Sequence, residues 1–161
     1  LRENFLTRVY AYSAWQDLLK AGLTRRSLTE FHARYKYLLM AHHPVQYKTL
    51  GNLLGSMGKA PPQAIAAQYF SELMKALKKC ATRRTHTNVL QHISGYLKQS
   101  ISREDKQEMQ QLIVQYLNGI VPLVVPLTLL KHHFRLHPDP YIARQVYLQP
   151  HPENLSLRNA I

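Results

Sequence analysis

The sequence predicts an all-α fold, a single compact domain of about eight helices. Three observations carry this prediction. Apolar residues recur at spacings of three and four through most of the chain, no segment alternates as a half-buried strand would, and helix-capping residues stand at segment boundaries. At 161 residues and 45% hydrophobic, the chain is long enough to bury one core and short for two. We therefore treat residues 1–161 as one domain.

Four helices are predicted in the first half of the chain, over residues 3–20, 27–41, 45–57 and 62–79. The second shows the clearest pattern, because its apolar residues fall at helical spacing: Leu28, Phe31, Tyr35, Leu38 and Leu39. None of the four segments shows the clean alternation that a strand with one buried face requires. The first half of the chain is therefore predicted to be helical.

Two further helices are predicted over residues 86–99 and 103–117. The first carries an apolar stripe at helical spacing, formed by Val89, Leu90, Ile93, Tyr96 and Leu97. Ser102 supplies a capping hydroxyl for the second, and Glu104 and Asp105 place negative charge at its positive dipole end. Asn118 and Gly119 are residues that commonly end a helix, so this element has a defined start and stop.

Prolines mark the last two predicted helices, over residues 126–136 and 139–147. Pro126 and Pro140 can each stand in a first turn, because the N–H that proline lacks has no partner there. Asp139 precedes the second of these prolines, in the position of a helix cap. Residues 147–161 are predicted to form a C-terminal tail.

Charge is the strongest compositional feature, with 21 lysines and arginines against 9 acidic residues, a net charge of +12. Residues 31–98 contain ten lysines or arginines and one acid, Glu72, and so carry +9 of that total. Such a segment presents a positive potential that attracts polyanions. We expect nucleic acid to be the partner, with a merely soluble basic surface as the alternative.

Several classes of protein and site are disfavoured by the sequence. Cys80 is the single cysteine, which excludes an internal disulfide and the C-x-x-C motifs and suits the reducing cytoplasm. The longest apolar stretch, "IVPLVVPLTLL", holds two prolines and is too short for a membrane helix. The adjacent pairs His42-His43 and His132-His133 point about 100 degrees apart on a helix, so neither pair alone chelates a metal. No catalytic motif is found, and we expect no metal, cofactor or membrane partner.

The stretch "ATRRTHTNVLQHISGYLK" carries the first candidate site. Opposite its apolar stripe lie the polar or small residues Asn88, Gln91, His92, Gly95 and Lys98. Arg83, Arg84 and His86 stand at or before the predicted helix start, where spare N–H donors and the dipole favour phosphate. Gly95 indicates a close approach, either of a ligand or of a crossing helix that buries Asn88 and His92.

Two other segments carry basic and aromatic residues together. In "FHARYKYLLMAHHP", Arg34 and Lys36 can bind phosphate and Tyr35 can stack on a base, as in RNA recognition, although a core tyrosine explains the pattern equally well. In "LLKHHFRLHPDPYIARQVYL", a charged helix face over a leucine core explains the pattern better than a site does, and the candidates are Lys131, His132, Arg135, Tyr141 and Arg144.

Four segments together resemble one family. "FHARYKYLLMAHHP", "THTNVLQHISGYLK", "VPLTLLKHHF" and "DPYIARQVYL" are similar to the bacterial YbgA-like family, a domain of unknown function found alone or fused to an iron–sulfur desulfidase that removes sulfur from thiolated uracil, in some members within tRNA. The resemblance implies a module that holds RNA for a desulfidase partner. The cysteine-bearing desulfidase portion is not in this chain. The family-motif positions are His32, Arg34, Tyr35, Lys36, His42, His86, Asn88, His92, Gly95, Tyr96, Lys131 and His132.

We predict from these observations a domain that binds tRNA through a basic helical surface. We expect phosphate contacts from Arg34, Lys36, Arg83 and Arg84, with Lys131 as a further basic residue. Hydrogen bonds to a ribose, phosphate or base edge are expected from His86, Asn88 and His92. A base is expected to stack on Tyr35 or Tyr96. No residue is assigned a catalytic role. Two alternatives stay open, an enzyme acting on a small molecule or nucleotide and a protein-interaction module. The oligomeric state stays open as well.

Overall fold

The structure, a computed structural model, describes all residues from Leu1 to Ile161. It contains eight α-helices and no strand. The helices are α1 Arg2–Ala21, α2 Arg25–His42, α3 Pro44–Gly55, α4 Gln63–Lys78, α5 Arg83–Ser94, α6 Arg103–Leu117, α7 Val124–Leu136 and α8 Pro140–Ala143. Three short 3₁₀ turns follow α5 and α8, at Gly95–Leu97, Val146–Leu148 and Glu153–Leu155. The all-α prediction is confirmed.

Helix α2 lies at the centre of the fold. It packs against α3, α4, α5 and the turn Val146–Leu148, while α1 covers α4, and α6 lies between α5 and α7. One continuous core of 26 buried residues joins these elements. Within it Trp15 stacks on Tyr69 and Phe70, with ring centroids 5.7 and 5.1 Å apart, so α1 is fixed to α4 by aromatic contacts. None of the helices is both long and apolar enough to cross a membrane.

Local capping chemistry sets several helix boundaries. The Ser102 hydroxyl accepts a hydrogen bond from the Asp105 amide at 3.0 Å, and the Asp139 carboxylate accepts from the amides of Tyr141 and Ile142 at 2.9 and 3.0 Å. Pro140 stands at the first position of α8, as its missing N–H allows. These caps agree with the sequence prediction for α6 and α8.

Helix α5 begins earlier than the predicted residue 86. Thr82 and Thr85 form a reciprocal capping box: the Thr82 hydroxyl accepts from the Thr85 amide, and the Thr85 hydroxyl accepts from the Thr82 amide. Arg83 and Arg84 therefore lie in the first turn and not upstream of it. The α-helix also ends at Ser94, and the chain continues as a 3₁₀ turn.

The C-terminal residues 147–161, which were expected to form a tail, fold back onto the helices. The Val124 amide donates to the Arg158 carbonyl oxygen at 3.2 Å, beside the start of α7. Tyr147, His151 and Arg158 are buried. This segment therefore closes one end of the helical body, next to the start of α1.

Candidate functional site

Helix α5 and the turn that follows it sort the predicted residues onto two sides. His86, Thr87, Val89, Leu90 and Ile93 face inward and are buried. The residues Arg84, Asn88, His92 and Tyr96 are exposed, and they follow one another at intervals of four. Residues four apart are neighbours on a helix surface, so these four form a continuous strip. We call them the α5 strip.

Basic and aromatic side chains from α2 and α8 adjoin the end of the α5 strip. Tyr96 stacks on Tyr141, with centroids 6.0 Å apart and planes inclined by 23°. The Tyr37 hydroxyl donates to the Tyr96 hydroxyl at 3.3 Å, and Lys36 Nζ lies 5.1 Å from the centre of the Tyr37 ring. A surface cleft of about 510 Å³ beside Tyr141 is lined by residues of α2 and of the α8 segment: Glu30, Ala33, Arg34, Tyr141, Ala143, Arg144 and Gln145. We call Arg34, Lys36, Tyr96, Tyr141 and Arg144 the α2–α8 face.

The cations on this side of the molecule have no acidic partners. The ion pairs of the protein involve Arg26, Lys75, Lys131, His151 and Arg158. Arg34, Lys36, Arg84 and Arg144 are in none of them, and Arg144 Nε donates only to the carbonyl oxygen of Pro140. Their charge is therefore available to an external anion.

His86 belongs to a different environment, on the inner side of α5. It is 3% exposed, and its Nδ1 is hydrogen-bonded with the Tyr147 hydroxyl at 2.8 Å. Burial and, to a smaller extent, the nearby Arg158 guanidinium lower the pKa of His86 to about 3. Burial also raises the pKa of Tyr147. Both groups are therefore neutral at neutral pH.

A buried ion pair joins the two ends of the chain near His86. Arg158 Nε donates to Glu3 Oε1 at 2.8 Å, and its Nη1 donates to the Tyr147 carbonyl oxygen at 2.6 Å. His151 Nε2 lies 3.2 Å from the same Glu3 oxygen. Burial acts to raise the pKa of Glu3, but the charge and hydrogen bond of Arg158 and the hydrogen bond of His151 outweigh it and lower that pKa. The carboxylate is therefore ionised.

A cavity of about 600 Å³ lies beside this ion pair, and we call it the terminal cavity. Its walls come from the start of α1, the segment Cys80–Thr82, the first turns of α5, the end of α6 and the segment Leu155–Ile161. Arg83, His86 and Tyr116 line it. Arg83 Nη1 donates to the Tyr116 carbonyl oxygen at 2.9 Å, and its guanidinium lies 5.0 Å from the centre of the Tyr116 ring.

Three predicted residues have internal contacts. The Nδ1–H of His42 donates to the Lys79 carbonyl oxygen at 2.7 Å, next to the end of α4. His32 Nδ1 is hydrogen-bonded with the Tyr69 hydroxyl at 2.9 Å, and its ring stacks on Tyr47. Tyr35 is 2% exposed and stacks on Phe31, with centroids 4.6 Å apart. In this structure the Tyr35 ring is therefore not at the surface, where a base could stack on it.

Helix α7 holds the remaining candidates, apart from the α2–α8 face. Lys131 pairs with Glu153, which uses its charge inside the protein. His132 is exposed and accepts a hydrogen bond from Arg135 Nη2 at 3.0 Å.

Gly95, in the turn after α5, is exposed as well. A β-carbon built there would meet no atom within 4 Å, so no helix crosses closely at this glycine. The protein contains no cluster of three or more histidine, cysteine, aspartate or glutamate side chains suited to a metal ion.

Sequence reasoning missed the residues that surround His86. Glu3 and Arg158 pair across 155 positions of sequence, and no local pattern joins them. Tyr116 and Tyr147 are not among the candidates that the sequence pattern singled out. Their polar role follows only from where the C-terminal segment folds.

Comparison with known proteins places the chain in a family. Residues 36–152 match the family model described as "Protein of unknown function (DUF1722)". The chain is 32% identical over 159 residues to the uncharacterized protein YbgA of Escherichia coli (strain K12), an alignment that covers 98% of this chain and 94% of that protein. No solved structure matches the chain. The resemblance found in the sequence is thus confirmed, and the chain belongs to the YbgA-like family of unknown function, DUF1722.

Proposed function

We propose that this protein is an RNA-binding module that binds tRNA through the α5 strip and the α2–α8 face. The observation that carries the proposal is the continuity of the two surfaces, which lead from Arg84 along α5 to the stacked pair of Tyr96 and Tyr141. Basic groups flank that pair, and none of them has an acidic partner. Cations beside exposed aromatic rings are typical of surfaces that bind looped or single-stranded RNA.

Each part of this surface has a distinct role in the proposal. The guanidinium groups of Arg34, Arg84 and Arg144 would bind phosphate oxygens and supply affinity without reading sequence. Tyr96 is 41% exposed, so an unpaired base could stack on its ring. Asn88 and His92 lie between the phosphate-binding and stacking ends and would hydrogen-bond to a ribose or a base edge.

The resemblance to fused family members extends this proposal to a partner. A module that holds tRNA without a catalytic group of its own would present it to an iron–sulfur desulfidase, in the cytoplasm where tRNA is found. Retention of such a desulfidase by this protein after nuclease treatment would show a direct protein contact. Retention only while RNA is present would show that RNA bridges the two.

The first experiment compares binding of tRNA with binding of duplex DNA of matched length. At about 50 mM salt we expect tighter binding of tRNA, and at about 200 mM the affinity should fall by about a thousandfold if some six phosphates are engaged. Absence of tRNA binding at the lower salt would contradict the proposal. Equal binding of DNA would reduce it to a general polyanion surface.

A matched pair of double variants then tests the location. Arg34→Gln with Arg144→Gln should weaken tRNA binding and lower the slope of affinity against salt by about one to two units. Arg103→Gln with Lys106→Gln removes the same charge from the surface of α6, which lies outside the proposed site. An equal loss in both variants would show that net charge, not this surface, determines binding.

A further inference from the structure

The terminal cavity contains polar atoms that the protein leaves without partners. His86 is 3% exposed and Tyr116 is 1% exposed, and both line the cavity. His86 uses Nδ1 on Tyr147, while its Nε2 and the Tyr116 hydroxyl make no hydrogen bond within the protein. Neither atom is among the fully enclosed polar atoms that lack a partner, so both open to the cavity. A molecule bound in the cavity can therefore hydrogen-bond to both of them.

The start of α5 adds an anion-binding element to the same cavity. The backbone amides of Arg83 and Arg84 have no acceptor, since the capping box engages the Thr85 amide and the His86 amide donates to the Thr82 carbonyl oxygen. These free N–H groups coincide with the positive end of the helix dipole. The Arg83 guanidinium donates one N–H group to the Tyr116 carbonyl oxygen, and its other N–H groups are free to bind a ligand.

The charge of the cavity favours an anion. Glu3 is compensated by Arg158 at 2.8 Å and by His151 at 3.2 Å. Arg2 and Arg83 also line the cavity, and Glu3 is its one acidic lining residue. Because the charge of Glu3 is neutralised by Arg158, the positive charges of Arg2 and Arg83 remain in the lining, next to the helix start.

We propose that the terminal cavity binds a small phosphate monoester. Its phosphate group is held by the Arg83 guanidinium and the first amides of α5, and a hydroxyl or ring nitrogen of its body is bound by His86 Nε2 and the Tyr116 hydroxyl. The apolar side chains of Ala81, Leu155 and Leu157 complete the wall against a ring. A volume of about 600 Å³ lies in the usual range for small-molecule sites. The site uses none of the side chains that form the surface proposed for RNA.

The experiment uses the whole chain and measures binding by equilibrium dialysis and by the amide NMR signals of Arg83 and Arg84. The probes are inorganic phosphate, ribose 5-phosphate, the nucleoside 5′-monophosphates, and one short oligonucleotide with either a 5′-phosphate or a 5′-hydroxyl. We expect a phosphate monoester to bind and to shift both amide signals. Preference for the phosphorylated oligonucleotide over every free ester identifies an RNA end as the source of the phosphate. The reverse preference identifies a metabolite.

Two conservative variants locate the site. Tyr116→Phe removes a hydroxyl that no protein group uses, so the unfolding temperature should stay unchanged while the dissociation constant rises about tenfold. Arg83→Gln keeps an amide donor for the Tyr116 carbonyl oxygen and should also weaken binding about tenfold or more. Arg103→Gln is the control, because it removes the same charge from the surface of α6, outside the cavity lining and outside the surface proposed for RNA.

Two results would overturn the proposal: no probe binds at millimolar concentration, or binding is the same in the wild type and in both cavity variants. Neither depends on RNA binding by the other surface. The Arg34 and Arg144 variant should keep full affinity for the phosphate ester, and Tyr116→Phe should keep full affinity for tRNA. The two proposals can therefore fail separately.

Discussion

His86 and His92 stand on the same helix and lie in opposite environments. His86 is enclosed among Tyr147, Tyr116 and the Glu3–Arg158 pair, whereas His92 lies on the exposed α5 strip. The same contrast separates the two surfaces of the molecule. On the α2–α8 face the cations are unpaired, and at the terminal cavity the one acid is enclosed by an arginine and a histidine.

The charges of this basic chain serve two purposes, according to whether water surrounds them. Unpaired surface cations cost little in stability because water solvates them, and they are free to attract a polyanion. Buried charges must be paired, because an unpaired charge out of water is expensive. We therefore expect substitutions in the buried Glu3–Arg158 pair to act first on stability. Substitutions on the α2–α8 face should act on binding and leave stability nearly unchanged.

Breaking the buried ion pair is the largest expected effect. Glu3→Gln keeps the size of the side chain but leaves Arg158 as a buried cation without a counter-charge, which should lower the free energy of unfolding by about 3 kcal/mol or more. The measurement is urea unfolding at neutral pH. The exposed pair of Arg26 and Glu30 provides the control, because water screens both charges and Glu30→Gln should cost far less than Glu3→Gln. Equal losses would contradict the contrast between the two regions.

The next largest effect is a loss of stability as the pH falls. Burial lowers the pKa of His32 from 6.5 to about 4. Below pH 6.5 the unfolded chain binds a proton at this residue and the native protein does not, so stability is lost as the pH falls toward 4. Each such histidine contributes a slope of about 1.4 kcal/mol per pH unit in that window. His86, with a pKa of about 3, extends the loss to lower pH.

His32→Gln tests this linkage. Whatever its stability at pH 7, the variant should lose stability less steeply between pH 6.5 and 4 than the wild type, by about one proton's slope. Urea unfolding at several pH values gives both curves. Parallel curves would mean that His32 is protonated in the native protein over this range, against the enclosure by Tyr69 and Tyr47.

Much of the fold could be predicted from the sequence, because helix formation here depends on local features. The Ser102 cap and the Asp139–Pro140 start lie within a few residues of the helices they begin. The predicted start of α5, residue 86, is three residues late because the capping box of Thr82 and Thr85 precedes the apolar stripe, and hydrophobic periodicity alone does not detect a capping box. Residues 147–161 fold back onto the helices through contacts such as that of Arg158 with Glu3, which is 155 positions earlier in the chain, and no local pattern predicts such a contact.

The site could be predicted only in part, for the same physical reason. Periodicity placed Asn88 and His92 on one face of α5, and the structure keeps them together on the exposed strip. It could not show that His86 turns inward to Tyr147, or that Tyr35 is enclosed by the core. A polar residue near the edge of an apolar stripe can face either way, and tertiary packing decides which.

The stacking surface can be tested by a change at its exposed ring. Tyr96→Ala should weaken tRNA binding about tenfold, because stacking of a base on an aromatic ring contributes about 1–3 kcal/mol. Tyr96→Phe keeps the ring and loses only the hydrogen bond from Tyr37, so it should bind nearly as well as the wild type. Tyr12→Ala, on the exposed side of α1, is the matched control. A loss as large in this control would place the stacking elsewhere.

The smallest expected effect concerns Gly95, which lies where the α5 strip meets the α2–α8 face. Its backbone is helical, with φ −60°, and a β-carbon there meets no atom within 4 Å, so Gly95→Ala should stabilise the protein by about 0.5–1 kcal/mol. Gly119→Ala is the opposite control, because φ +75° there strains any side chain and should destabilise. If RNA passes close to this backbone, Gly95→Ala should lower tRNA affinity several-fold while unfolding occurs at higher urea. A stabilised variant with unchanged affinity would contradict a contact at Gly95, and RNA would then have to approach Tyr96 from the side of Tyr141 and Arg144.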